Sequence, residues 1–258
     1  MAGVFCLSLF AIPGLAKLLP SQEAENPYQT QLTIKLASGT EEQRLEAAIE
    51  LGSFLSSEKA ITSKTIAALE GVLRQDPSAL VRALAARAME LSRDSRFIPV
   101  LLSSLKTEGE VEVSRAIIQA LAVHHSSEIV IALLPLLSHK KLDIRSVASY
   151  ALAEIGDPVS TEALISVLKN RGKGEDAFMR AQAARGLGRI GNREAIDILL
   201  VALNKDESSE VRRESVRSLG QIAISSDVKV IEALRQVRQQ SDPYLQALAT
   251  SALERIKL

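Results

Sequence analysis

Along most of this chain apolar side chains recur every third or fourth position, the stripe of an amphipathic helix and not the alternation of a half-buried strand. The stripe itself recurs. Segments of one template start at Gln43, Val81, Val113, Ile144, Met179, Val211 and Leu245, separated by 38, 32, 31, 35, 32 and 34 residues. The template places apolar or small residues at offsets 0, 4, 8 and 11 from its start, and the column at offset 8 reads Leu51, Met89, Leu121, Leu152, Leu187, Leu219 and Leu253. Between copies lies a second amphipathic segment: Phe97–Leu105, Ile129–Leu137, Thr161–Leu168, Ala195–Leu203 and Val228–Val237. Asp76-Pro77, Asp206–Ser209 and Asp242-Pro243 supply turn and N-cap chemistry between the two segments. Each unit is therefore a helical hairpin of roughly 30 residues that cannot bury both faces alone, so neighbours must stack into a quasi-one-dimensional solenoid.

Composition supports that reading. Of 258 residues, 47% are hydrophobic but only 3% aromatic, with no Trp. A core of Leu, Ile, Val and Ala suits helices better than sheets. The chain carries 31 basic and 31 acidic residues and so has a net charge of zero, which argues against a global electrostatic grip on nucleic acid or anionic lipid. A single cysteine, Cys6, excludes an intramolecular disulfide framework and a Cys-rich zinc site.

The first residues differ from the rest. Met1–Ala16 is apolar and uncharged, too short for a comfortable membrane span but of the length of a signal-peptide core, with a small-x-small cleavage pattern at Gly14-Leu15-Ala16. It lacks a basic leader. Two readings stand: export to a periplasmic or secreted location, with residues 17–27 a linker, or a cytoplasmic protein whose hydrophobic terminus packs on the first helices. The residues ahead of Cys6 are a poor match to a lipidation site.

The strongest copies, Met179–Leu203 and Ile144–Leu168, read Val/Ile/Met-Arg-x-x-Ala-x-x-Ala-Leu-Gly-x-Ile-Gly followed by Asp/Asn-x-x-Ala-x-x-x-Leu in consensus. Residues 28–258 thus resemble HEAT repeats of the phycobilisome-lyase-like subclass. The resemblance implies an all-α, right-handed α-solenoid of about seven hairpins. It also implies a polar ladder formed by an Asp in the turn and an Arg early in the second helix. Asp76/Arg82 and Asp206/Arg212 keep that spacing, Asp143/Arg145 and Asp176/Arg180 are closer together, and Ser114 and Gln246 replace the Arg and interrupt the ladder.

Several motifs invite chemistry. Gly186-Leu187-Gly188-Arg189-Ile190-Gly191 satisfies a dinucleotide fingerprint, but that fingerprint needs a preceding strand. Sister repeats hold Gly220 and Ala153 in the Gly188 column, so these glycines are structural, and Gly156 and Gly191 end their helices. The loop Asn170–Glu175 sits where the period stretches; it lacks phosphate-loop spacing and reads as a solvated insertion or a partner contact. His124, His125 and His139 offer no metal-ligand spacing, and the His-Glu pairs of HEAT-like deoxyhypusine hydroxylases are missing. No catalytic residues, metal ligands or cofactor-binding residues are assigned.

The face of the second helices away from the core stripe is more informative. The column at offset 6 holds Ile49, Arg87, Gln119, Tyr150, Arg185, Arg217 and Ser251, and neighbouring columns add Arg115, Arg189, Arg213, Glu154, Gln221 and Arg255. HEAT solenoids turn this face inward, and helices about 10 Å apart give a concave strip of roughly 60 Å. Residues 144–258 carry 17 basic and 15 acidic side chains, so local pattern and not bulk charge distinguishes the strip. One reading is a solvated face of i,i+4 salt bridges, such as Glu210 or Glu214 with these arginines. The other is a groove in which Arg87, Gln119, Tyr150, Arg185, Arg189, Arg213, Arg217 and Arg255 bind another protein or an acidic peptide, Arg being suited to bidentate carboxylate recognition. The expected function is a non-catalytic protein-interaction scaffold. The alternative is a bilin-lyase-like enzyme or cofactor chaperone sharing the repeats. Nucleic-acid binding lacks stacking aromatics, since Tyr28, Tyr150 and Tyr244 lie far apart in the sequence.

Overall fold

The computed structural model describes residues 26–57, 60–170 and 177–256; the expected leader Met1–Ala16 and all of the Asn170–Glu175 loop but Asn170 lie outside them. The described residues form helices and no strand. They pair as α1 (Pro27–Ser38) with α2 (Glu41–Ser57), α3 (Ser63–Gln75) with α4 (Ala79–Ser92), and α5 (Ile98–Thr107) with α6 (Val111–Ala122). Then follow α7 (Ser127–Leu133) with α8 (Leu142–Ile155), and α9 (Thr161–Lys169) with α10 (Ala177–Ile190). The last pairs are α11 (Ile196–Lys205) with α12 (Ser209–Ile222), and α13 (Val228–Val237) with α14 (Pro243–Arg255). Among them no helix is long and apolar enough to cross a membrane.

Local sequence sets the boundaries. Asp94, Asp157 and Asn192 each accept a backbone N–H two residues on, opening short 3-10 turns that lead into α5, α9 and α11. Asp242 caps α14 through the amides of Tyr244 and Leu245. Gly156 and Gly191 take positive φ, 64° and 73°, at the ends of α8 and α10, as their positions in the template require. The segment expected as one helix over Ile129–Leu137 divides: α7 stops at Leu133 and continues as a 3-10 turn over Leu134–Ser138. Pro135 is the cause, because its nitrogen has no hydrogen to donate to the preceding turn.

The column at offset 8 is the core. Leu51, Met89, Leu121, Leu152, Leu187 and Leu219 are fully buried, and Leu253 nearly so. Each contributes about 1.5–3 kcal/mol by leaving water. Packing is chiefly between a helix and its hairpin mate or the corresponding helix of an adjacent hairpin, as a solenoid demands. The second helices pack on one another more extensively than the first helices do, so the stack curves toward the second-helix side.

Small residues permit that closeness. Offset 9 of one second helix meets offset 7 of the next at Gly52–Ala88, Ala153–Gly186, Gly188–Ser218 and Gly220–Ala252. A methyl group on Gly220 would stand 2.6 Å from Ala252 Cβ and 2.9 Å from its Cα. Gly186 and Gly188 therefore face opposite neighbours, one toward α8 and the other toward α12. Their spacing belongs to a helix–helix seam and not to a nucleotide loop. Ser218 Oγ donates across the same seam to the Ala184 carbonyl at 2.8 Å.

A second seam runs along the hairpin turns. Arg44 Nη1 donates to Gly39 O of its own turn, while its Nε and Nη2 fork the Asp76 carboxylate of the next repeat at 2.6 and 3.1 Å. Arg82 repeats the arrangement, with Asp76 O behind it and the Glu108 carboxylate ahead at 3.0 and 2.9 Å. Arg180 forks Asp206 at 2.7 and 3.0 Å with both side chains almost wholly buried. Each carboxylate thus serves the Arg of the preceding repeat; at Asp76 and Asp206 the Arg of the same repeat takes the backbone carbonyl. Asp76 and Asp206 also accept the amides of Ser78 and Ser208, which holds each turn. Ser114 bonds only its own helix, and Gln246 keeps the backward bond to Gln240 O. Within the first hairpin the Tyr28 hydroxyl donates to Glu50 at 2.7 Å and Lys35 pairs with Glu46.

Candidate functional site

The second-helix face carries all eight positions picked from the sequence, in two clusters and three outlying residues. In the first cluster, Tyr150 of α8 lies beneath the guanidinium of Arg185 of α10, 5.8 Å from the ring centroid. Arg185 also pairs with Glu154, and Arg189 reaches the same carboxylate at 3.0 Å. Two arginines of one helix thus converge on one acid of the preceding repeat.

The second cluster joins α12 and α14. Arg213 sits over the Tyr244 ring at 4.7 Å and approaches Asp242 at 3.5 Å. Arg217 pairs with Glu214 one turn away, and the Glu214 hydrogen bond holds its guanidinium above its ordinary pKa. Asp242 lies below the usual carboxylate range, first because the Leu245 amide donates to it and also because Tyr244 N and Arg213 do. Tyr150 and Tyr244 remain 39% and 53% exposed, so both rings present surface to solvent. Arg87 pairs locally with Glu90 at 2.6 Å, while Gln119 and Arg255 stand exposed, outside both clusters.

Sequence columns placed the arginines but missed Tyr244 and Asp242. Both lie just ahead of the template start at Leu245, and Tyr244 is three and seven residues before the offsets 2 and 6 that were considered. Continuing the helical wheel one turn toward the N-terminus finds Tyr244, and Phe178 and Leu80 in the same column, 49% and 59% exposed. The salt bridges expected from Glu210 and Glu214 form at i,i+3; those from Glu154 and Asp242 come from adjacent repeats.

The histidines lie apart. His124 occupies offset 11, where other copies hold Ile155, Ile190, Ile222 and Ile256; burial pushes its pKa down, and its Nε2 is buried without a hydrogen-bond partner. His125 bonds the Ile155 carbonyl and His139 accepts the Lys141 amide. Among the described residues no group of three or more His, Cys, Asp or Glu could hold a metal ion.

Comparison with known proteins agrees with this architecture. HEAT repeats match residues 30–122, 98–175 and 168–254. The chain belongs to the HEAT-repeat family. No curated protein matches it. Among solved structures it is similar to YibA of Escherichia coli, 19% identical over 90% of this chain and 82% of that one, with a TM-score of 0.61. An engineered protein is 23% identical over 88% of this chain and 68% of that one, with a TM-score of 0.59. The complex of CpcE and CpcF of phycocyanin lyase from Nostoc sp. PCC7120 is 20% identical over 93% and 81%, at a TM-score of 0.48. The likenesses to YibA and the engineered protein concern the fold alone.

Proposed function

We propose that this HEAT solenoid is a non-catalytic scaffold that binds a segment of another protein along its concave second-helix face. The observation that carries the reading is the pair of aromatic–arginine clusters, Tyr150/Arg185/Arg189 and Tyr244/Arg213/Arg217, which share one face of α8 to α14. Each cluster joins a half-exposed ring, guanidinium donors and a carboxylate acceptor. That set offers stacking area and hydrogen bonds to a polypeptide without a nucleophile or a paired acid and base. Tyr and Arg are the residues that most often anchor protein interfaces. An acidic segment suits the site because Arg185 and Arg189 can exchange the part-exposed Glu154 for the partner's carboxylates.

The test is a charge reversal, Arg185→Glu with Arg217→Glu, against a control reversal of exposed Glu162 on the first-helix layer. Partners captured by the unmodified protein should be identified by crosslinking from position 119 and then assayed with each purified variant. Loss of binding in the double variant alone supports the reading. Equal binding by all three, with helical content unchanged, overturns it.

A further inference from the structure

We infer that the solenoid carries a hinge between its third and fourth hairpins, about which the part ending in α6 and the part beginning at α7 change their angle. Ties between neighbouring hairpins differ along the stack. Arg44 forks Asp76 across the first junction, and Arg82 forks Glu108 across the second. Arg189 reaches Glu154 across the fourth at 3.0 Å, and Arg180 forks Asp206 across the fifth. Across the sixth, Arg193 forks Asp227 at 3.0 and 2.7 Å. Among the described residues no ion pair crosses the third junction. The template shows the substitution responsible. The ladder sets an Arg at offset 1 against an acid five residues before the next template start, as in Arg82 and Glu108; here those places hold Ser114 and His139. Ser114 Oγ donates to Glu110 O of its own helix, and the turn edge is bridged only by exposed Lys141 Nζ on Gly109 O at 3.4 Å.

The first-helix layer is interrupted at the same place. α1, α3 and α5 pack in succession, as do α9, α11 and α13, but α5 and α7 scarcely meet. α7 has seven residues and gives way before Pro135 to the 3-10 segment Leu134–Ser138, none of whose residues is fully buried. It is bound forward instead: Ser127 Oγ donates to Asp157 at 2.7 Å, and α7 packs on the 3-10 turn Pro158–Ser160 that opens the fifth hairpin. α7 therefore moves with the repeats that follow it. The two parts are joined by the α6–α8 seam, whose buried residues are mostly apolar, and by the bond of His125 Nδ1 with Ile155 O at 3.1 Å, at the edge opposite the turns. Apolar packing has no preferred direction, so a seam tied at one edge alone is a pivot. Parting α5 from α7 tightens the curve of the stack, and closing them flattens it. Arg87 and Gln119 lie on one side of the pivot and Tyr150, Arg185 and Arg213 on the other, so the bend changes their separation. The hinge follows from packing and does not depend on what the concave face binds.

The experiment is pulsed double electron–electron resonance on the full chain with Cys6→Ser. Spin labels are placed in pairs at exposed first-helix positions two hairpins apart: Gln31 with Lys106, Lys106 with Glu162, and Ile131 with Asp197. The second pair alone spans the third junction, and its distance distribution should be about twofold wider than the other two. Restoring the ladder with Ser114→Arg and His139→Asp should narrow that distribution to the width of the flanking pairs, because the fork then closes the turn edge. Equal widths for all three pairs overturn the proposal, whether or not the restored variant folds. An Ile131–Asp197 distribution as wide as that of Lys106–Glu162 also overturns it, since the bend then lies at the fourth junction. So does a width that persists in a restored variant whose thermal unfolding is still cooperative.

Discussion

Helix propensity and packing disagree about glycine, and the seam between second helices decides which wins. Replacing Gly by Ala in a helix interior returns about 1 kcal/mol of propensity wherever the methyl group is free. Gly71, exposed in α3, has nothing within 4 Å of the position a Cβ would take, so Gly71→Ala should stabilise the protein by about 0.5–1 kcal/mol. Gly220 stands against α14, with Ala252 Cβ 2.6 Å and Cα 2.9 Å from the added carbon. Apolar carbons rest at about 3.5–4.0 Å, so α12 and α14 must part by about 1 Å. Overpacking of that kind costs about 1–3 kcal/mol and outweighs the propensity gain, so Gly220→Ala should be neutral to about 2 kcal/mol destabilising. The exchange Gly220→Ala with Ala252→Gly should recover part of the loss, because it removes the collision of the two methyl groups and leaves only the close approach to the α14 backbone. Urea midpoints by circular dichroism, with slopes compared to confirm a shared transition, are the assay. Gly220→Ala stabilising as much as Gly71→Ala, or an exchange no better than the sum of its parts, would refute the close seam.

The buried turn pair and the buried histidine give two further expectations. Arg180→Ala removes the guanidinium that faces the buried Asp206 carboxylate and should cost about 3–5 kcal/mol by urea denaturation, whereas Arg180→Met with Asp206→Leu should recover most of that loss, short of the hydrogen bond Asp206 accepts from Ser208 N. His124 has its folded pKa depressed, chiefly by burial and then by Arg93 and His125, with Asp94 opposing. The unfolded chain therefore binds the proton more readily; the stability held by neutral His124 is full above about pH 6.5 and is lost as pH falls through the folded value. Thermal midpoints between pH 5 and 7 should fall with acid, and His124→Phe should flatten that slope; an unchanged slope would locate the effect elsewhere.

The fold was legible because a solenoid repeats its own instructions. Leu187 alone does not specify a core position, but seven residues at offset 8 in seven copies do. Gly188 was read correctly for the same reason: Gly220 and Ala153 in sister columns marked it as packing. The site was less legible because it depends on contacts between copies. Aligning equivalent residues does not show which of them touch, so Tyr150 and Arg185 share one column without the guanidinium being placed over the ring. The turn ladder implied by the resemblance runs along the stack, but the spacing of Asp76 and Arg82 did not show that the carboxylate of Asp76 accepts from Arg44, 32 residues back, while Arg82 takes its backbone carbonyl. Pro135 was visible, yet the amphipathic stripe through Ile129–Leu137 concealed the change of helix type it forces.

Arginine does two separate jobs in this chain, distinguished by what lies opposite its fork. At Arg44, Arg82 and Arg180 the opposite group is a carboxylate of the next turn, and burial makes the pair part of the frame. On the concave face the opposite groups are part-exposed Glu154 and Asp242, whose pairs contribute about 0–1 kcal/mol each, and Glu214, which is buried beneath Arg217. Such pairs are strong enough to hold the guanidinium flat over a tyrosine and weak enough to be exchanged. A partner binding there releases one carboxylate for each it brings, so little net charge is neutralised and long-range steering adds little. Selectivity must then come from the fit of the partner's side chains to the Tyr150 and Tyr244 rings, at a spacing the stacked repeats hold fixed.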